Sequence, residues 1–197
     1  MGTSARKERH RKQVRDSILK TACAIARNEG WQAVTVRKIA DLIEYTPPVL
    51  YEYFENKEKL LDTIRSEGFE QLRTQFKSIQ ELYRNPEKQL NEVAIAIWNF
   101  ARESPEVFQV MFCIGGAFSP SKAIYQQELD YQQNPVWEMI AGFKPKFAEA
   151  VNKTYREWWV VTYGFIIIKM TVAPDGSNGF EESLYMENVR RYLRSIM

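Results

Sequence analysis

Residues Thr46 to Lys57 read TPPVLYEYFENK, and their chemistry is that of contact rather than catalysis. Tyrosine hydroxyls donate hydrogen bonds to phosphate oxygens, and proline and valine offer apolar surface to a thymine methyl. A lysine at the head of a helix adds its charge to free backbone N–H groups. Two consecutive prolines break most helices, but here they begin one. Thr46 precedes a proline and is pushed out of the α region, as an N-cap requires, which leaves its hydroxyl to accept from the first turn. Pro47 and Pro48 then fill that turn, where their missing N–H groups have no intrahelical acceptor to lose. At 100° per residue, Pro47, Leu50, Phe54 and, at the margin, Tyr51 share one side. Pro48, Val49, Glu52 and Tyr53 share the other. A helix of two turns cannot bury both sides in a small head, so the outer side is a candidate contact surface.

The flanking segments supply the elements that position it. Apolar residues recur at helical spacing, and no strand alternation is present. The spacing predicts a first helix from near Gln13 to Asn28, with Ile18, Ala22, Ile25 and Ala26 as its stripe and Gly30 as its end. Thr35 can cap a second helix through Leu42, and Asn56 a long one from Lys57 into the low 80s. Two short helices joined by a tight turn describe a helix-turn-helix. An ordinary helical hairpin with surface aromatics is the alternative. Further on, Pro86, Pro105, Pro120, Pro135, Pro145 and Pro174 punctuate more helical segments, and a last helix follows Phe180. The predicted class is all-α, a three-helix head followed by a helical bundle, with about nine or ten helices in total. Helix boundaries between 120 and 150 are left open by the pattern.

Composition narrows the function. The chain has 197 residues, 45% hydrophobic and 26% charged, an ordinary globular balance. Its most apolar run, WWVVTYGFIII, is shorter than the ~18 residues a membrane span needs, so no membrane partner is expected. The charged start MGTSARKERHRKQVR has no apolar region behind it, and Cys23 and Cys113 lack metal-ligand spacing. These features point to a cytoplasmic chain with buried thiols. His10 is the single histidine, so no histidine dyad, metal centre or cofactor site is expected in the body, and no enzyme. Net charge is +2, but residues 1–40 hold 10 Lys/Arg against 3 Asp/Glu. A basic start on an acidic body suggests a local polyanion contact, with a solvated tail as the alternative.

The segment TVRKIADLIEYTPPVLYEYFENKEKLLDTI, residues 35–64, closely resembles the DNA-binding head of the TetR family of bacterial transcriptional regulators. The carrying features are Thr35-x-Arg37-x-Ile39-Ala40, Leu50-Tyr51-x-Tyr53-Phe54 and Asn56-Lys57-Glu58, with Ile18-Leu19-x-x-Ala22 and Asn28-Glu29-Gly30-Trp31 upstream. The resemblance implies a phosphate contact for Thr35 and a groove-reading or clamping role for Arg37. It places Thr46 at the cap of the recognition helix, Pro47, Pro48 and Val49 toward bases, and Tyr51, Tyr53 and Lys57 on the DNA backbone. Two positions depart from the family's pattern: Glu44 stands where a glycine is common in the turn, and Val49 where a small polar residue is usual.

The implied layout is a flexible basic arm over 1–12, a helix-turn-helix domain over 13–56 and a ligand-binding and dimerisation domain over 57–197. The implied partners are a double-stranded DNA operator and a second copy of the chain, joined through the last two helices as a homodimer. A small apolar or aromatic ligand would sit in the body. Most aromatics there are expected in the core. Trp98, Met111, Phe112, Phe118, Tyr125 and Tyr163 are the candidate pocket residues, since bundles hold ligands between helices. The implied function is a ligand-responsive repressor on a palindromic operator. The alternative is a nonspecific nucleic-acid binder or helical adaptor without inducer response.

Overall fold

The computed structural model describes residues 2–114, 134–143, 147–172 and 179–196, and all of the regular structure among them is helical. The chain divides into two compact units, Met1–Ser66 with Pro105–Ser119, and Glu67–Ser104 with Pro120–Met197. The first unit contains α1 (Gly2–Glu29), a 3-10 turn (Trp31–Ala33), α2 (Val36–Leu42), α3 (Pro47–Tyr51), the start of α4 (Lys57–Leu82) and α6 (Pro105–Met111). The second contains the rest of α4, α5 (Pro86–Glu103), α7 (Pro135–Ala141), α8 (Ala148–Trp159), α9 (Phe165–Val172) and α10 (Glu182–Ile196). The expected boundary at residue 57 is where α4 begins, whereas the two units divide inside that helix, after Ser66.

Local chemistry accounts for most of these ends. Gly30 stops α1 at φ 83°, a conformation that costs glycine nothing, and its N–H donates to the Ala26 carbonyl at 2.8 Å. Thr35 caps α2 by accepting from the Lys38 N–H at 3.2 Å, and Asn56 caps α4 by accepting from the Lys59 N–H at 2.9 Å. Asn85 and Asn134 cap α5 and α7, each followed by proline in the first turn. One expectation fails at the N-terminus. The first helix begins at Gly2, so the residues expected as an arm outside it form its first three turns.

The core of the first unit gathers Ile18, Ala22 and Ile25 of α1, Ile39 of α2, Leu50 and Phe54 around α3, and Leu60 and Ile64 of α4. Val110 of α6 joins the same cluster. A void beneath α3 lined by Ile18, Ile39, Leu50 and Leu60 measures about 10 Å³, space for one water at most. This unit is closed to ligands on that side.

In the second unit Trp98 of α5 stacks on Tyr185 of α10 with ring centroids 5.0 Å apart, and the Tyr185 hydroxyl donates to the Ala94 carbonyl at 3.0 Å. Burial pushes the Tyr185 phenol up, out of any physiological titration. Between α8 and α9 the helix widens into a π turn over Val160–Gly164. Thr162, fully buried, donates its hydroxyl to the Trp158 carbonyl at 2.8 Å and so competes with the backbone ladder there.

Candidate nucleic-acid interface

The two short helices α2 and α3 meet through a turn at Ile43–Tyr45. Glu44 takes φ 60°, the left-handed conformation for which the glycine usual at this place is suited. The Tyr45 N–H reaches back to the Ala40 carbonyl at 3.0 Å, closing α2 with a Schellman-type bond. The turn therefore keeps its geometry with glutamate in it, at the cost of local strain.

Thr46 has the extended backbone expected of an N-cap, φ −92° and ψ 149°, but its side chain makes no cap hydrogen bond. The expected bond to the first turn is thus absent: Pro48 removes the N–H donor at the second helical position, and the Val49 N–H at the third donates to the Thr46 carbonyl at 3.0 Å instead. The exposed hydroxyl remains open to an outside partner. Thr35 and Arg37 are exposed as well, the first as the α2 cap and the second on its outward side.

The sides of α3 differ from the helical-wheel expectation at two positions. Leu50 and Phe54 point inward, Pro48 is exposed and Pro47 and Val49 are half-buried. Tyr51, placed marginally inward by the wheel, is 54% exposed, whereas Tyr53, placed outward, is half-buried against the core of the unit. The helix ends at Tyr51, and the Leu50 carbonyl then accepts from both Tyr53 and Phe54, at 3.0 and 2.9 Å. Beyond Tyr51 the chain tightens, and 100° per residue no longer applies.

Lys57 is the residue most altered by its surroundings. Its ammonium donates to the Trp31 carbonyl at 2.9 Å and is half-buried, and burial lowers its pKa. It ties α4 to the 3-10 turn from inside the unit. Arg15, which periodicity placed merely on the first helix, lies with its guanidinium 5.8 Å from the centroid of the Phe54 ring.

A second set of contacts was not legible in the sequence at all. Arg27 of α1 makes a two-toothed bridge to Glu106 of α6, Nε to Oε2 at 3.0 Å and Nη2 to Oε1 at 2.9 Å. Trp31 Nε1 donates to the Glu106 carbonyl at 3.0 Å, so α6 is fixed to both α1 and the turn after it. The Glu106 carboxylate, by hydrogen bond and charge, raises the Arg27 pKa still further from neutrality. These partners lie more than 70 residues apart, and no local pattern announces them.

The described candidate ligand residues are divided between the two units. Trp98 and Tyr163 are buried in the second unit in different aromatic stacks, Trp98 with Tyr185 and Tyr163 with Trp159 at 4.4 Å. Met111 is buried and Phe112 half-buried in the first unit, where Phe112 packs on Phe108 at 4.5 Å. Phe118 and Tyr125 lie outside the described residues. Cys23 and Cys113, expected buried, are half-buried. No group of residues with metal-binding composition occurs among the described residues, and no helix there is long and apolar enough to cross a membrane.

Known proteins share both the segment and the fold. The sequence pattern of the bacterial regulatory proteins of the tetR family matches residues 18–64. The HTH-type transcriptional repressor NicS of Pseudomonas putida is 25% identical over 99 residues, which is 50% of this chain and 47% of NicS. The match thus spans about half the length of that relative. A tetR-family transcriptional regulator from Streptomyces coelicolor superposes with a TM-score of 0.69 at 16% identity, over 94% of this chain and 82% of that one. The Thermus thermophilus repressor FadR, solved with lauroyl-CoA, superposes at 0.63 with 16% identity and 92% of both chains covered. The helix-turn-helix segment over residues 18–64 is thus matched in sequence by the tetR family of bacterial regulatory proteins, and the all-α fold is shared with solved tetR-family regulators along nearly its whole length.

Proposed function

We propose that the protein is a ligand-responsive transcriptional repressor that binds a palindromic DNA operator as a homodimer. The observation that carries the DNA reading is the exposed outer side of α3, held from beneath by buried Leu50 and Phe54. Around it Thr35, Arg37, Thr46 and Tyr51 present exposed polar groups from two short helices. In this reading Pro47, Pro48 and Val49 pack on base edges, while Thr35, Thr46, Tyr51 and Tyr53 hold phosphates and Arg37 reads or clamps the groove. Lys57 contributes chiefly by fixing α4 to the head, since its ammonium already has an acceptor. Residues 13–56 serve as the DNA-binding domain and the chain from 57 as the sensor and dimerisation part. The chemistry is contact throughout and calls for no catalytic group. The work is done in the cytoplasm, where the DNA is.

Two features support dimerisation and response. Val160, Ile168 and Val172 leave apolar surface exposed along α8–α9, and Leu184 adds to it on α10, the helices expected to meet a second copy. The α4 helix is 26 residues long, about 39 Å at 1.5 Å per residue. It runs from the recognition turn across the division between the two units. A small apolar or aromatic molecule bound in the second unit would act by preferring one setting of that helix, and FadR, which shares the fold, was solved in complex with lauroyl-CoA. Only a difference in affinity between two settings can do this.

Fluorescence anisotropy on DNA from just upstream of the protein's own gene, against a shuffled fragment across a salt series, tests the reading. Sequence-dependent binding that is lost in Arg37→Ala and Tyr51→Ala is the expected result. No binding by a folded dimer at low salt would overturn it.

A further inference from the structure

The first three turns of α1 have no use in the recognition of DNA by α3, yet they carry Arg6, Lys7, Arg9, His10, Arg11 and Lys12 against Glu8 as their one carboxylate. Residues 4–13 are all exposed, and Val14 is the first buried residue of the helix. Among the described residues, none of Arg6, Lys7, Arg9, Arg11 and Lys12 takes part in an ion pair.

Local physics does not favour this helix by itself. Arg6 and Arg9, Lys7 and Arg11, and Arg9 and Lys12 are like-charge neighbours at i,i+3 or i,i+4, each destabilising by about 0.2–0.5 kcal/mol. Cations near a helix N-terminus also oppose the macrodipole, and the first turn holds no acid. A polyanion lying along these turns would reverse the sign of both effects. The segment GTSARKERHRKQ has no large apolar residue, so it lacks the buried face by which an amphipathic helix enters a lipid surface.

Its place in the fold decides between polyanions. Arg15 stacks over Phe54, the residue that closes the turn after α3, so the projecting turns leave the unit beside the recognition helix. From Arg15 back to Arg6 the axis advances about 13 Å, comparable to the ~12 Å width of a major groove. At 100° per residue Arg6, Arg9, His10 and Gln13 fall within an arc of about 100°, one stripe along the projection.

We propose that the N-terminal three turns of α1 form a second contact with duplex DNA, a helical clamp on phosphates flanking the groove that α3 enters. The clamp adds affinity without reading sequence. The proposal rests on the DNA-binding reading of α3.

The test uses the full-length chain, a double variant Arg6→Gln and Arg9→Gln, and Tyr51→Ala. Each is titrated onto a duplex selected by the full-length chain from a random pool, onto a scrambled duplex of equal length, and onto phosphatidylserine vesicles. Glutamine keeps helix propensity, and circular dichroism verifies the fold of the variant. With two phosphate contacts, the double variant should flatten the slope of log K against log salt by about 1.8 on both duplexes. Affinity should fall by about tenfold or more on each, leaving the ratio between the duplexes unchanged. An unchanged slope in a chain that still prefers the selected duplex would overturn the clamp alone. Absence of any preference in the full-length chain, with Tyr51→Ala without effect, would instead remove the reading of α3. Loss of vesicle binding with DNA binding intact would assign the stripe to lipid and overturn the proposal.

Discussion

Glu44 holds φ 60° in the turn between α2 and α3, a conformation that costs a residue with a Cβ on the order of 1–2 kcal/mol. The turn survives because the Tyr45–Ala40 bond and the buried helices on either side over-determine it. Glu44→Gly should therefore stabilise the chain by about 1 kcal/mol, since the relief of strain exceeds glycine's extra unfolded entropy. In a thermal melt that is a rise of about 2–4 °C for a domain of this size. A fall in the midpoint would mean that Glu44 makes a compensating contact. Tyr51 is a different case, because its exposure separates stability from function. Tyr51→Phe deletes one hydroxyl on the surface and should move stability by less than about 0.5 kcal/mol. Loss of a phosphate hydrogen bond of about 1 kcal/mol should weaken DNA binding roughly fivefold, equally on matched and scrambled duplexes. The salt slope should stay constant, since a phenol releases no counterion. Arg37→Gln should instead lower that slope by about 0.9 for each phosphate it holds.

At the scale of elements, what was legible and what was not divide along the range of the interaction. Thr35, Asn56, Asn85 and the two prolines after Thr46 act within four residues of themselves, so α2, α3, α4 and α5 begin where the sequence says. The apolar stripe of α1 was legible from Ile18 onward, but its basic turns were not, because they have no periodicity to read. The exchange of Tyr51 and Tyr53 came from extending a helical wheel past the last helical residue. The docking of α6 was invisible, since Arg27 and Trp31 meet Glu106 only in three dimensions. The two bonds at that docking are unequal. Half of the Arg27 side chain is exposed, so its bridge is screened by water and contributes about 1 kcal/mol or less. The Trp31 indole is buried, and Trp31→Phe strands the Glu106 carbonyl at about 1–3 kcal/mol while also leaving a gap. Denaturant melts should rank Trp31→Phe as clearly more destabilising than Glu106→Gln. The opposite order would show that the carboxylate, not the indole, fixes α6.

For the whole molecule the decisive question is what covers the apolar surface of α8–α9. Val160, Gly164, Ile168 and Val172 are spaced four apart, and Val160 and Val172 are 71% and 59% exposed. A Cβ built on Gly164 would meet only the Val160 side chain, at 3.9 Å, so a partner helix can come close there. A head that reads one half-site must be paired by a twofold to reach the next, ~34–36 Å away per helical turn of DNA. In the proposed dimer the same surface would answer two needs, burial of exposed valine and isoleucine and the spacing of two α3 helices. A charge placed on it separates the two consequences. Val160→Glu is tolerated by a single chain, because the site is open to water, and circular dichroism should be unchanged. Within a dimer interface the unpaired carboxylate would cost about 3–5 kcal/mol, raising the dimer Kd by roughly 10²- to 4 × 10³-fold. Sedimentation equilibrium at micromolar concentration should then show monomer, and the steep binding to a palindrome should give way to weak half-site binding. A variant that remains dimeric would move the twofold to another face of the second unit, and would leave the exposed line along α8–α9 without a role in spacing the heads.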